Sequence, residues 1–201
     1  MKTVWLLGAL VWGGLATVAS ASVEAAPKFF FQIQGVKAVP DADSATRKFT
    51  AEALKDELSK RPEWASDLGP AGEARPGQDR GALAAELKKR NLRGFDVTAK
   101  IESFKTEFKE PRPGGKLRQL AVDIRLSVFG TTIPDAKLAF AGNGQAGLEA
   151  EVAEKRIDAD KAEAVRDAIK DAIRQAVDQA VLKLAIGKSE PMNESRRRKK
   201  K

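Results

Sequence analysis

A single amphipathic pattern runs through the last part of the chain, over residues 158–186. Apolar residues recur there at spacings of three and four, which places them on one side of an α-helix. The members of this stripe are Ala162, Val165, Ile169, Ile173, Ala176, Ala180 and Leu184. A helix of this length needs a flat apolar surface to cover, so the pattern predicts that it lies across one face of a sheet.

Four segments ahead of this helix are predicted to form the strands of that sheet. The clearest is 117–129, where apolar residues alternate with polar or small ones, as in an antiparallel strand with one buried face. Its apolar positions are Leu120, Val122, Ile124, Leu126 and Val128. The other predicted strands are 28–39, 94–108, with a bulge expected near Ser103, and 137 to about 144.

Two shorter helices complete the predicted fold. The first begins within 40–44 and runs to about residue 60, and the second spans 81–90. The order of elements predicts a single α+β domain over 28–187. We expect two layers: a mostly antiparallel sheet of about four strands, with the long C-terminal helix and the earlier helix packed on one face.

The N-terminal residues 1–21 have the features of a secretory signal peptide. Lys2 supplies a positive charge, an apolar run follows, and Ala19-Ser20-Ala21 offers a cleavage site after Ala21. The apolar run is shorter than a membrane-spanning helix and is broken by Gly13-Gly14, which argues against an uncleaved anchor. We therefore expect an exported protein with a leader at 22–27 and no later membrane-spanning segment. The periplasm is the favoured location, and secretion is the alternative.

The composition restricts the chemistry of the chain, which contains no Cys, His or Tyr. This excludes disulfides, thiolate sites, Ser-His-Asp arrangements and nearly all zinc or copper sites. No catalytic residue, cofactor or metal site is predicted, and an enzyme acting through carboxylates alone ranks last among the hypotheses.

Two Asp-Ala-Asp steps, Asp41/Asp43 and Asp158/Asp160, offer ligands for a hard cation. Each step also stands where a helix is expected to begin, and aspartate is favoured at helix starts. We interpret both steps as capping residues.

The segment Gly142-Asn143-Gly144, followed by Gly147, has the glycine content of a phosphate-binding loop. No Lys-Ser or Lys-Thr pair comes directly after it, and the preceding strand is not of the parallel type. The pattern favours a turn that ends a strand.

Several segments together resemble an α+β domain of the bacterial envelope. They are 49–58 (FTAEALKDEL), 94–104 (GFDVTAKIESF), 120–142 (LAVDIRLSVFGTTIPDAKLAFAG) and the alanine-rich closing helix. The domain is shared by the curli-secretion lipoprotein, the lipoprotein activators of penicillin-binding proteins and the N-terminal domain of the translocation protein TolB. The resemblance implies a periplasmic domain that binds other proteins. Those lipoproteins carry a lipidated cysteine that this chain lacks, and no functional residue is carried over.

The predicted disordered tail, 188–201, holds a net charge of +5 out of +8 for the whole chain. It ends in six adjacent cations: Arg196, Arg197, Arg198, Lys199, Lys200 and Lys201. They predict attachment to an anionic polymer or lipid surface, with a merely solubilising end as the alternative. No aromatic residue is interleaved with them, so sequence-specific nucleic-acid binding is not expected. The favoured function is a non-enzymatic interaction module that binds an envelope protein.

Overall fold

The computed structural model describes residues 28–65, 68, 70, 72, 80–109 and 117–186. The predicted signal peptide 1–21, leader 22–27 and basic tail 188–201 lie outside these residues. The elements in chain order are β1 (Phe29–Ala38), α1 (Ser44–Ser59), α2 (Gly81–Lys89), β2 (Arg93–Lys109), β3 (Leu117–Thr132), β4 (Leu138–Ala153) and α3 (Ile157–Ile186), with a 3-10 turn at Glu154–Arg156 before α3. Among the described helices, none combines the length and apolar character needed to cross a membrane.

The strands form one sheet in the order β1-β2-β3-β4. β1 runs parallel to β2, because the connection through α1 and α2 carries the chain back to the same end of the sheet. The β2–β3 and β3–β4 pairs are antiparallel. The predicted α+β class and mostly antiparallel sheet are confirmed, as is the bulge near Ser103, where the β2–β3 register shifts.

The main core lies between the sheet and the pair α1 and α3. The alternating apolar residues of β3 all face it and are at most 2% exposed. They pack with Ile169 and Ile173 of α3 and with Leu54 and Leu58 of α1. The two helices therefore share one face of the sheet, as predicted.

A smaller cluster covers one corner of the opposite face. Leu83 and Leu87 of α2 pack there against Phe30 and Ile133. Phe30 points away from its neighbours in β1, which face the main core, because side chains alternate along a strand. β1 is thus covered on both faces around Phe30.

The prediction for β4 was wrong at its C-terminal end. The strand continues to Ala153, and the glycines interpreted as a strand-ending turn lie inside it. A Cβ atom at Gly142 would lie 1.9 Å from the carbonyl oxygen of Ala176, and one at Gly144 would lie 1.8 Å from that of Ala172. The glycines are needed because the α3 backbone lies almost directly on this strand.

Side chains of α3 also cap the outer edge of β4. The backbone N–H groups of Asn143 and Gln145 donate to the side-chain oxygens of Gln179 (3.2 Å) and Gln175 (3.4 Å). The ammonium group of Lys183 donates to the carbonyl of Ala141 at 2.6 Å. The three helical residues are spaced by four, so they form one row that blocks further strand pairing along this stretch of the edge.

Candidate functional site

A groove opens where the N-terminal halves of α1 and α3 pass over the C-terminal half of β2. It has a volume of about 360 Å³. Its lining comes from the start of α1 (Asp41, Asp43, Ala45, Thr46, Phe49), from β2 (Phe104, Thr106) and from α3 (Asp158, Lys161, Ala162, Val165, Arg166, Ile169). We call it the α1–α3 groove.

The bulge in β2 creates the floor of the groove. Before the bulge, Phe95, Val97, Ala99 and Ile101 face the helices and are buried. After it, Phe104 pairs with Ile124, a core residue, and Thr106 pairs with Val122. The extra residue therefore moves Phe104 and Thr106 to the helix-facing side, whereas strict alternation would have turned them away.

The floor is apolar and only partly covered. Phe49, Phe104 and Val165 are half-buried and pack against the main core. The guanidinium of Arg166 lies 5.6 Å from the centroid of the Phe49 ring, which is within range of a cation–π interaction. An apolar side chain of a ligand could contact this floor while charged groups on the rim remain hydrated.

Asp43 lies on the rim and caps α1. Its carboxylate accepts a hydrogen bond from the backbone N–H of Thr46 at 2.7 Å. This bond, with a further contribution from the Thr46 side chain, lowers the pKa of Asp43 below its ordinary value. Asp43 therefore stays ionised and is engaged by the helix, which confirms its interpretation as a cap.

The other aspartates also stand at helix starts. Asp41 and Asp158 line the groove, and Asp160, in the first turn of α3, forms an ion pair with Arg156 at 3.3 Å. Within the described ranges, no group of three or more acidic side chains is arranged as metal ligands would be. The groove brings the two helix starts close together.

A separate polar cluster ties α2 to the opposite face of the sheet. Arg80, just before α2, forms a salt bridge with Asp96 of β2, and each side chain is 15% exposed. Asp96 also accepts a hydrogen bond from Gln34, and Arg80 donates to Gln32 at 3.1 Å. We assign this cluster a structural role, because its charges are paired with one another.

The binding residues predicted from the sequence, 196–201, lie outside the described residues. The sequence analysis did not predict the α1–α3 groove as a site. One signal was available. The predicted break in alternation near Ser103 implies that Phe104 and Phe108 change face. Nothing in the local sequence predicted that Phe49 and Arg166 would lie beside Phe104 in one groove.

No protein-family model and no curated protein matches the chain. Solved structures with some likeness include a minor lipoprotein from Acinetobacter baumannii, which is 9% identical over 77% of this chain and 91% of that chain, with a TM-score of 0.42. Another is a DUF330 protein from Xanthomonas campestris, 11% identical over 85% of this chain and 91% of that chain, with a TM-score of 0.44. At such low identities and TM-scores, these likenesses assign neither a family nor a function.

Proposed function

We propose that this chain is an exported, non-enzymatic periplasmic module that binds a segment of an envelope protein in the α1–α3 groove. The observation that carries the proposal is the groove itself, which combines an apolar floor with a rim that bears charges of both signs. This combination is typical of protein interfaces, where apolar side chains are buried centrally and polar groups surround them. The periplasmic location rests on the predicted signal peptide and on the resemblance to envelope domains.

Binding is better supported than catalysis at this groove. The chain has no histidine, cysteine or tyrosine to act there. A carboxylic acid that donates a proton near neutral pH needs a raised pKa, whereas the hydrogen bond from Thr46 lowers that of Asp43.

The test uses two tryptophan substitutions on the same turn of α3. Ala162 is exposed and lines the groove, so Ala162→Trp fills it. Glu163 is exposed outside the groove lining, so Glu163→Trp is the matched control. Tagged wild-type and variant proteins are cross-linked in the cells that make them, purified, and compared for the envelope proteins they retain.

We expect Ala162→Trp to reduce retention of a specific partner about tenfold or more, equivalent to about 1.4 kcal/mol. Glu163→Trp should retain the partner like the wild type. Equal retention by the two variants would rule out the groove as the binding site. The absence of any specific partner from the wild type would count against the interaction module itself.

A second proposal concerns residues 196–201, the six consecutive cations at the end of the tail. Phosphate-rich surfaces attract such a run, and salt weakens the attraction. Deleting these residues should abolish sedimentation of the protein with anionic vesicles at low salt and leave groove-dependent capture unchanged. If the protein still sediments with the vesicles after the deletion, the proposal for the tail is wrong, and the proposal for the α1–α3 groove is unaffected.

A further inference from the structure

The C-terminal half of β2 has one unpaired edge. β1 ends at Ala38, opposite Ile101, whereas β2 continues to Lys109. From Ser103 onward, β2 pairs with β3 on one side and with no other described strand on the other side. We call residues 103–109 the free β2 edge. It differs from the outer edge of β4, which α3 caps.

Space is available beside this edge. A cleft of about 270 Å³ runs along Phe104–Glu107, with Asp41 on its far side. Phe108, further along the strand, is 41% exposed, which is unusual for a phenylalanine. An unpaired strand with exposed apolar side chains is a template for a further strand.

The sequence of the free β2 edge is self-complementary about Thr106. In an antiparallel pairing of two copies centred there, Phe104 lies opposite Phe108 of the second copy, and Lys105 lies opposite Glu107 of the second copy. The two aromatic residues share the helix-facing side, because Phe104 and Phe108 pair with the core residues Ile124 and Leu120. The two charged residues alternate with them and lie on the opposite face.

The charges at these positions are available for such a pairing. Lys105 and Glu107 are exposed, and neither forms a salt bridge with another described residue. Opposite charges placed directly across two antiparallel strands stabilise the pairing, and like charges destabilise it. A strand from an unrelated partner would need to match this pattern by chance, whereas a second copy matches it by symmetry.

We propose that two copies of this chain associate through their free β2 edges, in antiparallel register centred on Thr106. The two four-stranded sheets then form one continuous sheet across a two-fold axis. The contact is isologous and closes on itself, so it yields a dimer and not a filament. Because the paired stretch is short, the dimer is weak and depends on concentration. The inference does not rest on the proposed function, since pairing requires no partner in the α1–α3 groove.

The test is the oligomeric state of the chain without its predicted signal peptide, measured by sedimentation at concentrations up to about 1 mM. Lys105→Glu places two glutamates opposite each other on both sides of the axis, because the new carboxylate faces Glu107 of the second copy. Glu107→Lys places two lysines opposite each other on both sides of the axis, because the new ammonium group faces Lys105 of the second copy. Each should weaken dimerisation about tenfold or more. The double variant Lys105→Glu/Glu107→Lys restores opposite charges and should dimerise like the wild type.

Lys100→Glu is the matched control, since Lys100 is exposed on the same strand and face but lies where β1 already pairs. It should leave dimerisation unchanged. As a second measurement, Thr106→Cys places a thiol on the two-fold axis of a chain that has no other cysteine. A short bifunctional maleimide should link two copies of this variant efficiently and two copies of Thr98→Cys poorly.

A wild-type protein that remains monomeric at all concentrations overturns the proposal. A dimer that Lys105→Glu leaves unaffected, or that the double variant fails to restore, also overturns it. Capture of a strand from a different protein by a monomeric chain would assign the free β2 edge to that protein and equally reject the second copy.

Discussion

Replacing Gly144 by alanine is expected to push α3 away from the sheet. A Cβ atom at this position lies 1.8 Å from the carbonyl oxygen of Ala172 and 2.7 Å from its carbonyl carbon. Real Cβ atoms do not sustain contacts under 3.0 Å, and the opposing atoms belong to a helix backbone that cannot rotate aside. The helix must therefore move by at least about 1.2 Å along this direction.

The displacement affects a large part of the core, because α3 moves as a rigid element. The contacts of Ala168, Ile169 and Ile173 with the sheet all lengthen with it. A gap of 0.5–1 Å removes about a quarter to a half of the dispersion energy of each contact. Overpacking usually costs about 1–3 kcal/mol, and a clash with backbone belongs at the upper end. We expect a loss of about 3 kcal/mol, which lowers Tm by about 6–12 °C in a domain of this size.

Thermal and urea unfolding provide the assay, followed by the fluorescence of Trp64. It is the only tryptophan after residue 21, and it packs against the main core. Gly147→Ala in the same strand is the control, because the nearest atom to a Cβ there is an Asp123 carboxylate oxygen at 3.9 Å. This variant should be neutral or stabilised by about 0.5 kcal/mol, since alanine restricts the unfolded chain. Equal Tm values for Gly144→Ala and Gly147→Ala would refute the reasoning.

Two further substitutions test the polar anchors of the fold. Asp96→Asn removes the charged acceptor of Arg80 and should lower the free energy of unfolding by about 2 kcal/mol in urea denaturation. The control Asp123→Asn changes an exposed aspartate and should alter the free energy of unfolding by less than about 0.5 kcal/mol. Equal effects of the two variants would contradict a stabilising role for the Arg80–Asp96 salt bridge. Asp43→Ala removes the cap of α1 and should cost about 1 kcal/mol at neutral pH. Because the Thr46 N–H lowers the pKa of Asp43 below 3.8, the cap stabilises the protein above that pH and is lost as pH falls through the lower folded-state value. Wild type and Asp43→Ala should therefore converge in stability in strong acid, and a difference that persists there would contradict the assignment.

Local periodicity was a reliable guide where a segment has one apolar side. The alternation in β3 predicted the strand and its buried face, because this period follows directly from backbone geometry. The spacing in α3 predicted the helix and its buried face from Ile169 onward, whereas Ala162 and Val165 at its start line the groove and are not buried. Asp43 was likewise predictable as a cap, since its partner Thr46 is only three residues away.

Prediction failed where the partner of a residue is distant along the chain. The glycines of β4 suggested a turn by their intrinsic preferences, and only the closeness of Ala172 and Ala176 explains why a strand tolerates and needs them there. The parallel placement of β1 was not predictable either, because it depends on how the connection through α1 and α2 folds back.

The sequence by itself determined which segments become helices and strands, apart from the C-terminal half of β4, together with the α+β class and the bulge that turns Phe104 toward the helices. Tertiary structure alone decided how close α3 lies to β4, which strand edge stays unpaired, and that Phe49, Phe104 and Arg166 line one groove. The physical reason is the range of the interactions. Backbone periodicity is set within a few residues, whereas grooves and edges arise from packing between segments that lie about 30 residues or more apart in the chain.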